Sequence, residues 1–200
     1  MKSRPILFSA PMVRALLNGS KTQTRREWKY KNGDVVPNQN DLPGMQQLLR
    51  DCPYGQPGDR LWVRETWQHL DNVGQRAHEF LLHQKHSRHC FFLADESDPT
   101  TKPLSGRWRP SIFMPRWASR ITLEVISVRV ERLQDISEAD AIAEGVQDKK
   151  SMILGRNAEE ITGPIAEYAV LWESLHGPGS WDANPWVWVI EFKRVEGGAA

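Results

Sequence analysis

The residues best placed to do chemistry stand together near the N-terminus, in Gly19-Ser20-Lys21-Thr22-Gln23-Thr24-Arg25-Arg26. An amine, two threonine hydroxyls and two guanidiniums are the groups used as base, nucleophile and oxygen ligand. What precedes them fixes where they are delivered. Ser9 can cap a helix, Pro11 fits its first turn, and Met12, Val13, Leu16 and Leu17 form an apolar stripe at helical spacing. Gly19 then supplies a left-handed stop. The corner just past that helix reads as the active site, and the remaining chain as its walls.

A second set comes from alternation. Arg60 to Trp67 follows the turn Gln56-Pro57-Gly58-Asp59, and Leu61, Val63 and Glu65 alternate with Trp62, Arg64 and Thr66. This is the pattern of a strand with two differently used faces, the latter suited to lining a pocket. Trp62 and Trp67 could stack on a nucleobase or pack in the core. From Pro99 to Leu123 there is no acidic residue, while Lys102, Arg107, Arg109, Arg116 and Arg120 are interleaved with Trp108, Phe113 and Trp117. Such a stretch either follows a phosphate backbone or pairs its arginines with distant acids.

Farther on, Ser137 is an N-cap with Asp140 at the third helical position, and Gly145 ends a short helix over 138–144. Glu144 therefore sits in the last turn, against the helix dipole, which suggests another use for it. His83, His86, His89 and Cys90, with His78 upstream, match no standard zinc spacing. No metal or cofactor is expected.

The positioning elements are read from pattern. Residues 4–8 form a short strand before the helix of 10–18, and 91–94 another. Ile121 to Leu133 is the clearest strand, and Trp186 to Phe192 the closing one. Residues 157–176 read as an amphipathic helix interrupted at Gly163-Pro164. Turn signals crowd 27–58, and 68–110 is largely polar. The order of elements fits an α+β domain, a small barrel with helices packed across its ends.

Composition bounds the rest. Two hundred residues suit one domain over 1–195 with a loose tail at 196–200. A net charge of +1 excludes a globally basic nucleic-acid binder, though not a local basic cleft. Cys52 and Cys90 are too few for a disulfide framework, no run approaches ~18 apolar residues, and the N-terminus lacks a signal-peptide core. A cytoplasmic protein without membrane contact is expected; nothing sets its oligomeric state.

Gly19-Ser-Lys21-Thr-Gln-Thr24-Arg-Arg26 resembles the Gly-x-Lys-x-x-[Thr/Glu]-x-Arg signature of ASCH domains, relatives of the PUA pseudo-barrel. Pro57-Gly58-Asp59-Arg-Leu-Trp-Val, Ile121-Thr-Leu-Glu-Val and the run from Leu133 through Glu144-Gly-Val are similar to later parts of the same fold. Arg-Pro-Ile-Leu-Phe-Ser and Met-Pro-Arg-Trp-Ala-Ser-Arg resemble a phage and prophage branch. The likeness spans the chain apart from insertions at about residues 27–53 and 68–110. It implies a PUA-like small β-barrel. It also implies an amidohydrolase that removes the acyl group of N4-acetylcytidine, with Lys21, Thr24 and Glu144 as the catalytic set. Arg26, Trp62, Arg64, Trp67 and Arg116 would then contact a modified nucleoside or nucleobase. PUA-like barrels also bind RNA, so a non-catalytic RNA-binding module and a ribonuclease are the competing readings.

On an ideal strand, positions 21 and 24 face opposite sides, so the trio requires a bend past Gly19. Amide hydrolysis then has two versions. A desolvated, neutral Lys21 serves as base while Thr24 attacks and Glu144 shuttles a proton to the leaving amine. Otherwise Glu144 activates water, Lys21 stabilises the oxyanion and Thr24 orients the acyl group. The first is favoured, because a hydroxyl–lysine pair is a known nucleophile–base arrangement. Arg26 either fixes Glu144 or a substrate oxygen, or is an ordinary surface arginine.

Overall fold

Alternating apolar segments widely spaced in sequence close into one sheet in the computed structural model. It describes residues 1–28, 49–69, 90–96, 107–147, 152–154 and 160–195. Strand β1 (Ser3–Leu7) leads into helix α1 (Ala10–Leu17) and strand β2 (Gln23–Glu27). Strands β3 (Arg60–Arg64), β4 (Trp67–His69), β5 (Cys90–Phe92) and the long β6 (Thr122–Arg132) follow. Helix α2 (Glu138–Ala143), the short strands β7 (Met152–Leu154) and β8 (Glu160–Thr162), helix α3 (Gly163–His176) and strand β9 (Trp186–Arg194) complete the order.

The main sheet runs β1-β3-β6-β9-β2, with β1 and β3 parallel and every other neighbouring pair antiparallel. The α+β class is thus observed. The ladder is open, with β1 and β2 as its two edges and no strand pairing between them. β4 pairs with β5 and β7 with β8 in two small separate sheets.

β9 explains the layering, since five successive residues from Trp186 to Ile190 are buried. A strand covered on both faces reads as a continuous apolar run. Trp186, Trp188, Ile190 and Phe192 face a core with Ile6, Phe8, Val13, Leu16, Leu61, Val63, Leu123 and Val125. Val187 and Val189 face the other way, onto Leu133, Ala141, Tyr168, Ala169 and Trp172 beneath α2 and α3. Burying each large apolar side chain contributes roughly 1.5–3 kcal/mol, so β9 anchors both layers.

Local signals behave physically. Pro11 lies in the first turn of α1, Gly19 takes φ +81°, and Ser137 Oγ accepts from the Asp140 N–H at 3.1 Å. The regular alternation of β6 stops midway because its register with β9 slips between Val125 and Ser127, leaving Ile126 exposed. Such a bulge turns successive side chains to new faces.

Two expectations are corrected. Glu160–Thr162 is a strand, not the first part of a helix through 157–176. Proline inside a helix clashes with the carbonyl four residues earlier but fits an N-terminal turn, so Pro164 starts α3 instead of continuing one. The strand read over Arg60 to Trp67 breaks after Arg64, and Trp67 exchanges backbone hydrogen bonds with Arg109. The expected turns of 29–48, His78, His83, His86, His89 and the tail 196–200 lie outside the described residues. No helix among the described residues is long and apolar enough to cross a membrane.

Candidate functional site

The helix stop after α1 hands the chain to two partners in turn. The Lys21 N–H donates to Ala15 O at 3.0 Å, and Lys21 makes an isolated antiparallel bridge with Glu144. The Thr22 N–H donates to Ala143 O at 2.8 Å, while Thr22 O accepts from the Phe192 N–H at 2.9 Å. From Gln23 onward the chain is an edge strand on β9. Lys21 is therefore held against the C-terminal end of α2, and Thr24 against the main sheet.

Gly145 makes this approach possible. Its φ of +89° suits glycine, and an added Cβ would stand 2.9 Å from Ala15 Cβ and 3.1 Å from Lys21 Cβ. Both the left-handed turn and the close approach of Ala15 and Lys21 exclude a side chain there.

The Lys21 amine is fully enclosed and donates to Glu144 Oε2 at 2.7 Å and to the Glu144 carbonyl at 2.8 Å. The structure thus joins two of the three expected catalytic residues across 123 positions of sequence. Burial pushes the Lys21 amine below its ordinary value and outweighs the opposing pull of the Glu144 carboxylate; Arg26 and Arg25 add to the lowering.

Thr24 is buried at 1 % exposure but makes no hydrogen bond to Lys21 or Glu144. Directly opposed residues of a pair share a face. Thr24 opposes Ile190, and so lies on the β1–β3 core side; Arg25 opposes Val189, and so lies on the helix side. Lys21 reaches toward both. Its Nζ lies 5.6 Å from the centroid of Phe8, the ring that also carries the Arg26 guanidinium at 5.1 Å.

The guanidinium at Glu144 belongs to Arg25, through Nη1 at 3.4 Å to Oε1. Arg26 instead donates to the Leu7 carbonyl at 2.6 Å. Arg25 Nη2 also reaches Glu131 Oε1 at 2.5 Å and Asp140 Oδ2 at 3.2 Å. Arg129 extends the set, engaging both oxygens of Asp140, Glu131 Oε2, Glu191 Oε1 and the amide oxygen of Gln23. Sequence reasoning placed Arg25 in the cluster but gave the Glu144 contact to Arg26, and it missed Glu131 and Phe8. One signal was present: Asp140 and Glu144 repeat acid at helical spacing, which calls for a base between them.

The remaining candidates gather elsewhere. Trp62 and Arg64 lie on the face of β3 opposite the core residues Leu61 and Val63. The Arg64 and Arg116 guanidiniums stand 5.2 Å and 5.7 Å from the Trp62 ring, and Arg64 Nε donates to Met114 O at 2.9 Å. No contact joins this group to Lys21, Thr24 or Glu144 among the described residues. Trp67 is buried in a small cluster with Cys90, Phe92, Met114 and Ala118, with the Arg109 guanidinium 5.2 Å from its ring and Trp117 edge-on.

No family model and no curated protein matches the chain. Among solved structures, it is similar to an ASCH domain from Lactobacillus crispatus JV V101. The identity is 13 %, the match covers 96 % of this chain and 79 % of that one, and the TM-score is 0.37. A likeness at that score decides neither fold nor function, so the family reading rests on the residues themselves.

Proposed function

We propose that this protein is an amidohydrolase that removes the acyl group from N4-acylated cytosine or cytidine, built on a PUA-like barrel of the ASCH type. The observation that carries the reading is the buried Lys21–Glu144 contact, 2.7 Å between groups 123 residues apart. The motif resemblance singled out both residues. Closure of the barrel belongs to the same proposal, supported by Arg26 of β2 reaching the Leu7 carbonyl across the gap between the edge strands.

Lys21 is suited to act as a base. A neutral amine has two hydrogens, both already placed on the two Glu144 oxygens, so its lone pair is left for an incoming proton. In the proposed reaction the bound acyl group draws the Thr24 hydroxyl to that lone pair. The Thr24 oxygen bonds to the acyl carbon, its proton passes to Lys21, and Glu144 relays a proton to N4 as the carbon–nitrogen bond breaks. Water, activated by the same amine, then releases the acid from Thr24. The leaving group assists, because charge on the cytosine amine delocalises into the ring.

The test incubates purified protein with N4-acetylcytidine and follows cytidine by chromatography, beside Lys21→Ala and Thr24→Ala. Cytidine release abolished in both variants is expected; release unaffected by both substitutions rejects the site. Release lost in Lys21→Ala alone assigns the attack to water, with Thr24 orienting the acyl group.

One observation favours a second reading, an RNA-binding module. Trp62 lies against two guanidiniums on the outer face of β3, and the neighbouring Phe113 and Trp117 are exposed. Aromatic and arginine planes of this kind stack on unpaired bases. Binding of structured RNA that weakens steeply with salt, without release of cytidine, would establish that reading in place of the first.

A further inference from the structure

Amide hydrolysis by Lys21, Thr24 and Glu144 leaves one wholly enclosed base without a role. The Arg25 side chain is 0 % exposed and is shared by three carboxylates from two elements, Glu131 of β6 and Asp140 and Glu144 at α2. Asp140 and Glu144 stand four residues apart, so their charges fall on one helix face and repel. Glu131 brings a third negative charge to the same place. Arg129 answers Asp140 and Glu131 as well, but makes no contact with Glu144. Arg25 alone among the described arginines reaches all three acids.

We propose that Arg25 is the positioning residue of this site: it occupies one carboxylate oxygen of Glu144, fixes the other on Lys21, and shares that acid's charge with the lysine. The purpose rests on the amidohydrolase reading, whereas the contacts do not. The Glu144 carboxylate favours the ammonium form of Lys21, which cannot act as a base, and burial of the amine opposes it. Arg25 draws part of that charge to the helix side of β2, and its own positive charge disfavours a second one on Lys21. The groups that face Lys21 are Glu144 from α2 and Arg25 and Arg26 from β2, with the apolar Phe8 on the remaining side. Behind Arg25 stand Glu131, Asp140 and the ring of Tyr168, whose centroid is 5.8 Å from the guanidinium carbon.

The experiment follows the side-chain nitrogen of Lys21 by NMR in protein carrying labelled lysine, with the resonance assigned from its loss in Lys21→Met. Arg25→Gln is expected to raise the Lys21 midpoint, and to move the acidic limb of kcat/KM upward by the same amount. Arg25→Lys keeps the charge but cannot fork across three acids. It should leave the midpoint near its wild-type position and lower kcat about tenfold. A folded Arg25→Gln protein with an unmoved Lys21 midpoint overturns the proposal. Should Arg25→Gln fail to fold, Arg25→Gln with Glu131→Gln restores the balance of charge and answers the same question. Inactive wild-type protein with a midpoint that still responds to Arg25→Gln rejects the hydrolase reading and upholds the positioning role. Active protein with an unmoved midpoint does the reverse.

Discussion

Two buried glutamates among the described residues are each answered by a base, and they are built to opposite ends. Glu65 takes both Arg120 nitrogens of one fork, Nε at 2.9 Å and Nη2 at 3.0 Å, while Arg120 Nη1 goes to Asp95 at 2.8 Å. The guanidinium then lies 4.0 Å over Phe92. All three guanidinium nitrogens are engaged, and an arginine does not give up its proton under ordinary conditions. Such a pair ties the end of β3 to the segments around residues 95 and 120. Glu144 meets a lysine instead, and its other oxygen meets Arg25. Here the base can lose its proton, and the acid keeps a counter-charge when it does. Under the proposed hydrolysis, the difference between a fastening and a reactive centre lies less in burial, which both share, than in whether one partner can change its protonation.

The sharpest way to break this contrast is to remove each base. Arg120→Met leaves Glu65, 1 % exposed, as an uncompensated buried charge; about 3–5 kcal/mol of stability should be lost in denaturant unfolding. Gly145→Ala should come next. The left-handed φ and the 2.9 Å approach to Ala15 Cβ together cost about 2 kcal/mol by the same measurement, and turnover falls because Lys21 is displaced.

Protonation gives smaller, signed effects. Burial lowers the Lys21 amine in the folded state, so between that lowered value and 10.5 the unfolded chain binds more protons. Stability should therefore rise with pH across that window, and Lys21→Met should abolish the rise. Asp140 gives a slope of the same sign at the acid end. Burial pushes its carboxyl up, but Arg25 and Arg129 hold it below 3.8, so it stabilises the fold above that value and the contribution fades as pH falls below it. Asp140→Asn should flatten the acid limb of the stability profile, by ~1 kcal/mol or less because the group is partly solvated.

Much of the fold was legible where a local rule acts alone. Pro11, Gly19, Ser137 and Gly145 mark helix ends through backbone geometry, and Trp186 to Phe192 reads as the closing strand. The hairpin strand Glu160–Thr162 was misread because its apolar spacing fits a helix until the proline at 164 is given its steric weight. In the site, Glu144 drew attention as an acid at the wrong helix end. Arg25 did not, since nothing in Arg25-Arg26 says which guanidinium faces the helices; only the register of β2 on β9 decides that. The grouping of Arg64 and Arg116 around Trp62, apart from Lys21, likewise depends on which face of β3 Trp62 and Arg64 take and on where the turn at Arg116–Ala118 is brought.

The most direct test compares Lys21→Met with Arg120→Met, measuring cytidine release from N4-acetylcytidine alongside the folded fraction of each. Lys21→Met should fold at neutral pH, with Arg25 still on Glu144, and lose turnover by about a hundredfold or more. Arg120→Met should lose stability, while its folded molecules turn over at the wild-type rate. Folded Lys21→Met protein that releases cytidine as fast as wild type would contradict the account.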